Sequence, residues 1–90
     1  MVRVEFSKRA YKSLAVLPEH IRGKLKAWVV AVELVGVAEV RKQGGFHDEP
    51  LKGNRIGQRS IRLNKAYRAI YVESDNHVVI TVIEVSKHDY

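Results

Sequence analysis

Residues 58–73 read QRSIRLNKAYRAIYVE, and this stretch decides the fold. Gln58 to Leu63 alternates polar and apolar side chains, Asn64-Lys65-Ala66 carries turn chemistry, and Tyr67 to Glu73 resumes the alternation, so the segment is a β-hairpin. A three-residue turn sets Leu63 opposite Tyr67 and Arg62 opposite Arg68, whereas a two-residue turn separates the arginines. Like charges directly opposed destabilise a sheet, so the first register makes sense where an anion sits between them.

Downstream, Asp75-Asn76 marks a second turn. His77 to Ser86, HVVITVIEVS, is a β-branched run with the character of a central strand. It delivers Lys87-His88-Asp89-Tyr90 to the end of the sheet, and Glu84, Ser86, His88 and Tyr90 share one parity along it. Upstream, residues 44–57, GGFHDEPLKGNRIG, contain four glycines and form an irregular connection. That loop carries Glu49 and Lys52, a carboxylate and an ammonium three residues apart, beside the ambiguous pair His47-Asp48.

Before the loop the apolar period is helical. Ser7 can cap a helix in which Ala10, Tyr11, Leu14 and Leu17 share a face, and Pro18 separates it from a second stripe of Ile21, Leu25, Trp28, Val29 and Val32. Gly36 either ends this second helix near Leu34 or lies within a helix running through VAEVRK to Gln43. Val2 to Phe6 alternates as a strand. The expectation is one α+β domain over residues 1–90: a strand, a two-helix hairpin, then a three-stranded antiparallel meander. The helices pack on one face of the sheet, and the other face is open to a ligand.

Composition narrows the function. The 90 residues contain 16 Lys+Arg, 10 Asp+Glu and no cysteine, which excludes disulfides and thiolate metal sites. The most apolar stretch, Ala27 to Val40, is interrupted by Glu33 and Glu39, and the first residues lack an apolar signal core, so a soluble cytoplasmic protein is expected. Residues 1–50 hold nine basic and six acidic side chains, an ordinary mixture. Residues 52–68 hold six basic ones, Lys52, Arg55, Arg59, Arg62, Lys65 and Arg68, and no acid. With Ile56, Ile61, Leu63 and Tyr67 interleaved, this is a folded cationic element suited to nucleic acid, an anionic surface or an acidic protein. The four histidines have no zinc-site spacing, and no phosphate-binding or dinucleotide glycine motif is present.

The segment EPLKGNRIGQRSIRLNKAYRAIY and the closing VIEVSKHDY resemble toxins of the RelE/ParE superfamily of bacterial toxin–antitoxin systems, nearest to the YoeB-like and HigB-like ribonucleases. This resemblance spans nearly the whole chain and implies a small sheet with two amino-terminal helices packed on it. It further implies metal-free, cofactor-free cleavage of mRNA, commonly in the ribosomal A site, with no membrane involved and a cognate antitoxin as protein partner. Carried over residue by residue, Glu49 is the general base, Lys52 stabilises developing negative charge, and Arg62 and Arg68 grip the scissile phosphate. His88 or Asp89 is the leaving-group acid, because YoeB-like chains end His-Tyr while this chain ends His-Asp-Tyr, and Tyr90 stacks on a base. Arg55, Arg59 and Lys87 are expected to contact the RNA backbone. Two alternatives stand beside this reading: a ParE-like inhibitor of DNA gyrase without RNA chemistry, and a simple nucleic-acid-binding domain.

Overall fold

The computed structural model describes residues 2–87, so His88, Asp89 and Tyr90 lie outside the described residues. The chain runs β1 (Arg3–Phe6), α1 (Lys8–Leu14), α2 (Glu19–Val35), α3 (Val37–Lys42), β2 (Glu49–Pro50), a 3-10 turn (Gly53–Arg55), β3 (Arg59–Arg62), β4 (Tyr67–Ser74) and β5 (Val79–Lys87). The strands form one sheet in the order β1-β5-β4-β3-β2, in which β1 pairs parallel to β5 and the other pairs are antiparallel. The α+β architecture matches the sequence expectation, with a short edge strand and a third helix added to it.

Local chemistry accounts for the element ends. The Ser7 hydroxyl accepts from the Ala10 N–H at 3.1 Å and donates to the Ile83 carbonyl at 3.1 Å, so one side chain both caps α1 and ties it to β5. Tyr11, expected on the apolar face of α1, is exposed, because a seven-residue helix presents only Ala10 fully to the core. Gly36 resolves the upstream alternative: at φ 87° it ends α2, and the chain restarts as α3 with Val37 and Val40 buried.

The core lies between the helices and one face of the sheet. Ile21, Leu25, Trp28 and Val32 line the inner face of α2 and meet Ile61, Leu63, Ala69, Tyr71, Ile80, Val82 and Val85 from the strands. Trp28 packs on Tyr71 with ring centroids 5.1 Å apart. A bulge interrupts the last pairing: Ile70 is opposite Glu84 but Tyr71 is opposite Val82, which leaves Ile83 as the extra residue. The bulge inverts side-chain parity within β5. Ile80 and Val82 face the helices, whereas Glu84 and Ser86, which strict alternation would place beside them, face the open side opposite Ile70 and Arg68.

Candidate functional site

The open face of the sheet is built by the hairpin of β3 and β4. Asn64 Oδ1 accepts from the backbone N–H groups of Ala66 at 2.8 Å and Tyr67 at 2.7 Å, fixing a three-residue turn closed by the Leu63 N–H to Tyr67 carbonyl bond of 2.9 Å. The resulting register sets Arg62 directly opposite Arg68. Ser86 follows on β5, opposite Arg68, so Arg62, Arg68 and Ser86 form one cross-sheet row. The neighbouring row is Glu49, Ser60, Ile70 and Glu84. Cross-strand neighbours share a face, which places Glu49 on the same side as both arginines and about 7–8 Å diagonally from Arg62 in backbone terms.

Nothing among the described residues compensates the charge of this row. Among the described residues, the side chains of Glu49, Lys52, Arg62 and Arg68 make no ion pair and no hydrogen bond. Arg62 is exposed and Arg68 half-buried. Lys52 is exposed, just before the 3-10 turn at the rim of the same loop. Two guanidinium forks on adjacent strands, with a carboxylate one row away, can bind a phosphate bidentately and accept a proton beside it.

Other residues singled out from sequence are not brought to this row. Arg55 reaches over the open face to the neighbouring row, donating to Gln58 Oε1 at 2.7 Å and to Glu84 Oε1 at 2.7 Å. It thereby fastens the 53–58 loop across the sheet. Burial alone would raise the Glu84 carboxyl, but Arg55, Arg9 and the Ser86 hydroxyl overcome that and hold it below the usual carboxylate range. Arg59 faces the opposite side, donating to Asp48 Oδ1 at 2.6 Å. Lys87 is exposed at the end of β5, opposite Tyr67. His88, Asp89 and Tyr90 fall outside the described residues.

A second charged cluster, on the helix side, escaped sequence reasoning. Asp48, whose side chain is only 3% exposed, accepts from Arg59 and from the Tyr71 hydroxyl, and the Arg41 Nε lies 3.5 Å away. The Arg41 guanidinium donates to the Tyr71 oxygen at 2.9 Å and to Glu73 at 2.9 Å, and Glu73 in turn meets His77 Nδ1 at 2.8 Å. Burial, together with the hydrogen bond to Asp48, pushes the Tyr71 phenol well above its ordinary value against the opposing pull of Arg41. Burial alone would raise Glu73 as well, but His77 and Arg41 hold its carboxyl low. The one sequence signal was Asp48 itself, an acid on the border of a wholly basic segment. Among the described residues no group of three or more His, Asp or Glu side chains is arranged to hold a metal ion, and no helix is long and apolar enough to cross a membrane.

No family model matches the chain, and no curated protein matches it in sequence. Solved structures do. The chain is similar to the toxin in the intact Escherichia coli RelBE toxin–antitoxin complex, at 28% identity over 100% of both chains with a TM-score of 0.68. It is similar to YoeB of Staphylococcus aureus at 25% identity, covering 99% of this chain and 98% of that one, with a TM-score of 0.73. A YoeB/ParE toxin from Agrobacterium tumefaciens superposes with a TM-score of 0.78 at 19% identity, covering 98% and 100%. The open arginine face, the helical cover on the other side and the full-length match thus converge, and the chain has the fold of the RelE/ParE superfamily of toxins, in the neighbourhood of its RelE and YoeB members.

Proposed function

We propose that residues 1–90 form the single toxin domain of a type II toxin–antitoxin pair, acting as an endoribonuclease on mRNA. The observation that carries this reading is the opposed Arg62–Arg68 pair, without a counter-ion among the described residues, with Glu49 one row away on the same face. A surface that tolerates this repulsion has a dianionic or bridging anionic ligand to offset it, and a phosphodiester in its pentacoordinate transition state suits that description. In the proposed reaction Glu49 takes the proton of the ribose 2′-hydroxyl. The 2′-oxygen bonds to the adjacent phosphorus, and the bond from phosphorus to the 5′-oxygen breaks. Arg62, Arg68 and Lys52 hold the extra negative charge. The departing 5′-oxygen receives a proton from His88 or Asp89, and a 2′,3′-cyclic phosphate remains. Tyr90 stacks on the base, Lys87 contacts the backbone beyond it, and neither a metal nor a cofactor enters the reaction.

Arg55 and Arg59, committed to Glu84 and Asp48, act in this scheme by holding the loop and the strand rather than by gripping RNA. The antitoxin is expected to bring carboxylates to Arg62 and Arg68, blocking the site sterically and electrostatically. The ribosomal A site is the proposed place of cleavage in the cytoplasm. The test is end-mapping of mRNA after a short pulse of expression, with Glu49→Gln, Arg68→Ala as control. New 5′ ends within reading frames that vanish in the variant support the reading, whereas growth arrest with intact mRNA transfers it to a protein target such as gyrase.

A further inference from the structure

We infer that Asp48 is a positioning residue: buried on the helix side of the sheet, it fixes the Glu49 carboxylate on the open side. What Glu49 does there rests on the ribonuclease reading, whereas how it is held rests on geometry alone.

Among the described strands β2 is the shortest. It is an edge of two exposed residues, and Pro50 has no N–H to give to β3. The connection around it is irregular, with Gly44 and Gly53 at positive φ on either side. Left to its backbone, so short an edge frays. Glu49 adds nothing to its own anchorage, since its side chain meets no partner among the described residues. A general base, however, has to stand within hydrogen-bond reach of one proton, and a displacement of about 1 Å costs about 10²-fold in rate.

The preceding residue supplies the anchor. Successive side chains of an extended chain point to opposite faces, so a carboxylate held inward at 48 turns the next one outward at 49. Groups from three elements meet Asp48: Arg59 of β3 at 2.6 Å, the Tyr71 hydroxyl of β4, and Arg41 of α3, whose Nε lies 3.5 Å away. They brace one another. Arg59 is the cross-strand partner of both Pro50 and Tyr71, and Arg41 donates to the Tyr71 oxygen at 2.9 Å. Arg41 already pairs with Glu73, so neutralising it requires no second carboxylate; placing one at 48 ties the cluster to β2. Directly before it, His47 takes φ 49°, a left-handed angle that costs a non-glycine residue energy and persists only where the surroundings hold it. The contacts of Asp48 are such a hold.

Two measurements on the intact chain test this. In cleavage of a defined message on translating ribosomes, Tyr71→Phe takes one donor from Asp48 and keeps the ring on Trp28. It should lower the rate at saturation by about tenfold and leave the half-saturating concentration within about twofold, because Arg62 and Arg68 still grip the phosphate. Asp48→Asn, assayed well below its melting temperature, should lower the rate by about 10²-fold. In a Glu49→Gln background neither substitution should lower it further, since each acts through Glu49. Leu25→Ala, which opens a cavity under α2 away from β2, should lose stability and keep the parent rate. Amide exchange needs no cleavage. The Leu51 N–H bond to the Gln58 carbonyl at 2.9 Å and the Arg62 N–H bond to the Phe46 carbonyl at 2.7 Å flank β2. Both amides should exchange about tenfold faster in Tyr71→Phe. The Ser7 amide, bonded to the Val82 carbonyl at 2.9 Å, should keep its rate. A parent chain that cleaves nothing, with the two β2 amides still loosened in Tyr71→Phe, overturns the ribonuclease reading and supports the anchorage. Unchanged amides, a Tyr71→Phe chain at the parent rate, or losses that multiply with Glu49→Gln would each overturn the anchorage itself.

Discussion

Arg59 and Arg62 stand three residues apart on one strand and face opposite sides of the sheet. Arg59, with Arg41, meets Asp48 and Glu73, so two cations are matched by two carboxylates around the Tyr71 hydroxyl. Arg62, with Arg68, meets another cation. The difference teaches how to separate a structural arginine from a ligand-binding one. Where the described residues supply the counter-charge, the arginine belongs to the fold; where they oppose cation to cation, the proposed function has an RNA phosphate supply it.

The largest effect expected from breaking this contrast comes from the buried side. Asp48→Asn leaves the partly buried Arg59 guanidinium without its carboxylate and Arg41 with Glu73 alone, a loss in the class of about 3–5 kcal/mol, or a fall in melting temperature of roughly 15–30 °C for a domain of this size. Thermal unfolding followed by circular dichroism measures it. A fall below about 5 °C would mean that solvent already neutralises the cluster.

On the open side the expected loss is chemical. Arg68→Ala should reduce mRNA cleavage by about 10²–10³-fold, as for loss of a donor to developing charge, while stability stays within about 0.5 kcal/mol of the parent. Cleavage of a defined message in a translating extract, beside a urea melt, gives both numbers. A variant that loses activity and stability together would erase the distinction between the two regions.

Acid sharpens the comparison further. Glu73 and Glu84 are both held below their ordinary values in the fold, by His77 and Arg41 and by Arg55 respectively, against the opposing effect of burial. A carboxyl depressed in the folded state contributes stability that is full above its unfolded pKa of about 4.3 and is lost as pH falls through the folded value. Stability should therefore be flat with respect to these two groups from neutrality down to about pH 5 and decline below about pH 4. In Glu84→Gln the decline should be shallower, and urea midpoints against pH provide the measurement.

These two regions were not equally legible in the sequence. The open face is local: Arg62 and Arg68 are joined by a turn whose register Asn64 dictates, and Glu49 lies on the short strand β2 that pairs beside them. The buried cluster is not. Asp48 meets Arg59 across 11 residues and Tyr71 across 23, and no periodicity links such positions. The bulge at Ile83 was equally hidden, because a run of β-branched residues carries no mark of an extra member. Parallel pairing of β1 with β5 joins the two ends of the chain, which local patterning cannot order. Gly36 left two helix lengths open because glycine at a break and glycine inside a helix differ in backbone angles, here φ 87° and ψ 154°, and not in side chain.

The smallest expected effect is also the most direct probe of the missing counter-charge. If Arg62 and Arg68 repel, Arg62→Ala should not destabilise the protein and should raise its stability by about 0.2–1 kcal/mol, since a directly opposed like-charge pair is removed. The same repulsion predicts that a divalent oxyanion binds between them. At constant ionic strength, exchanging chloride for sulfate should stabilise the parent through binding to the folded state, with a dependence on concentration that Arg62→Ala and Arg68→Ala both lose. General salting-out would stabilise parent and variants alike, so the difference between them isolates the site. An Arg62→Ala chain less stable than the parent would show that its aliphatic stem covers the sheet and outweighs the charge it carries.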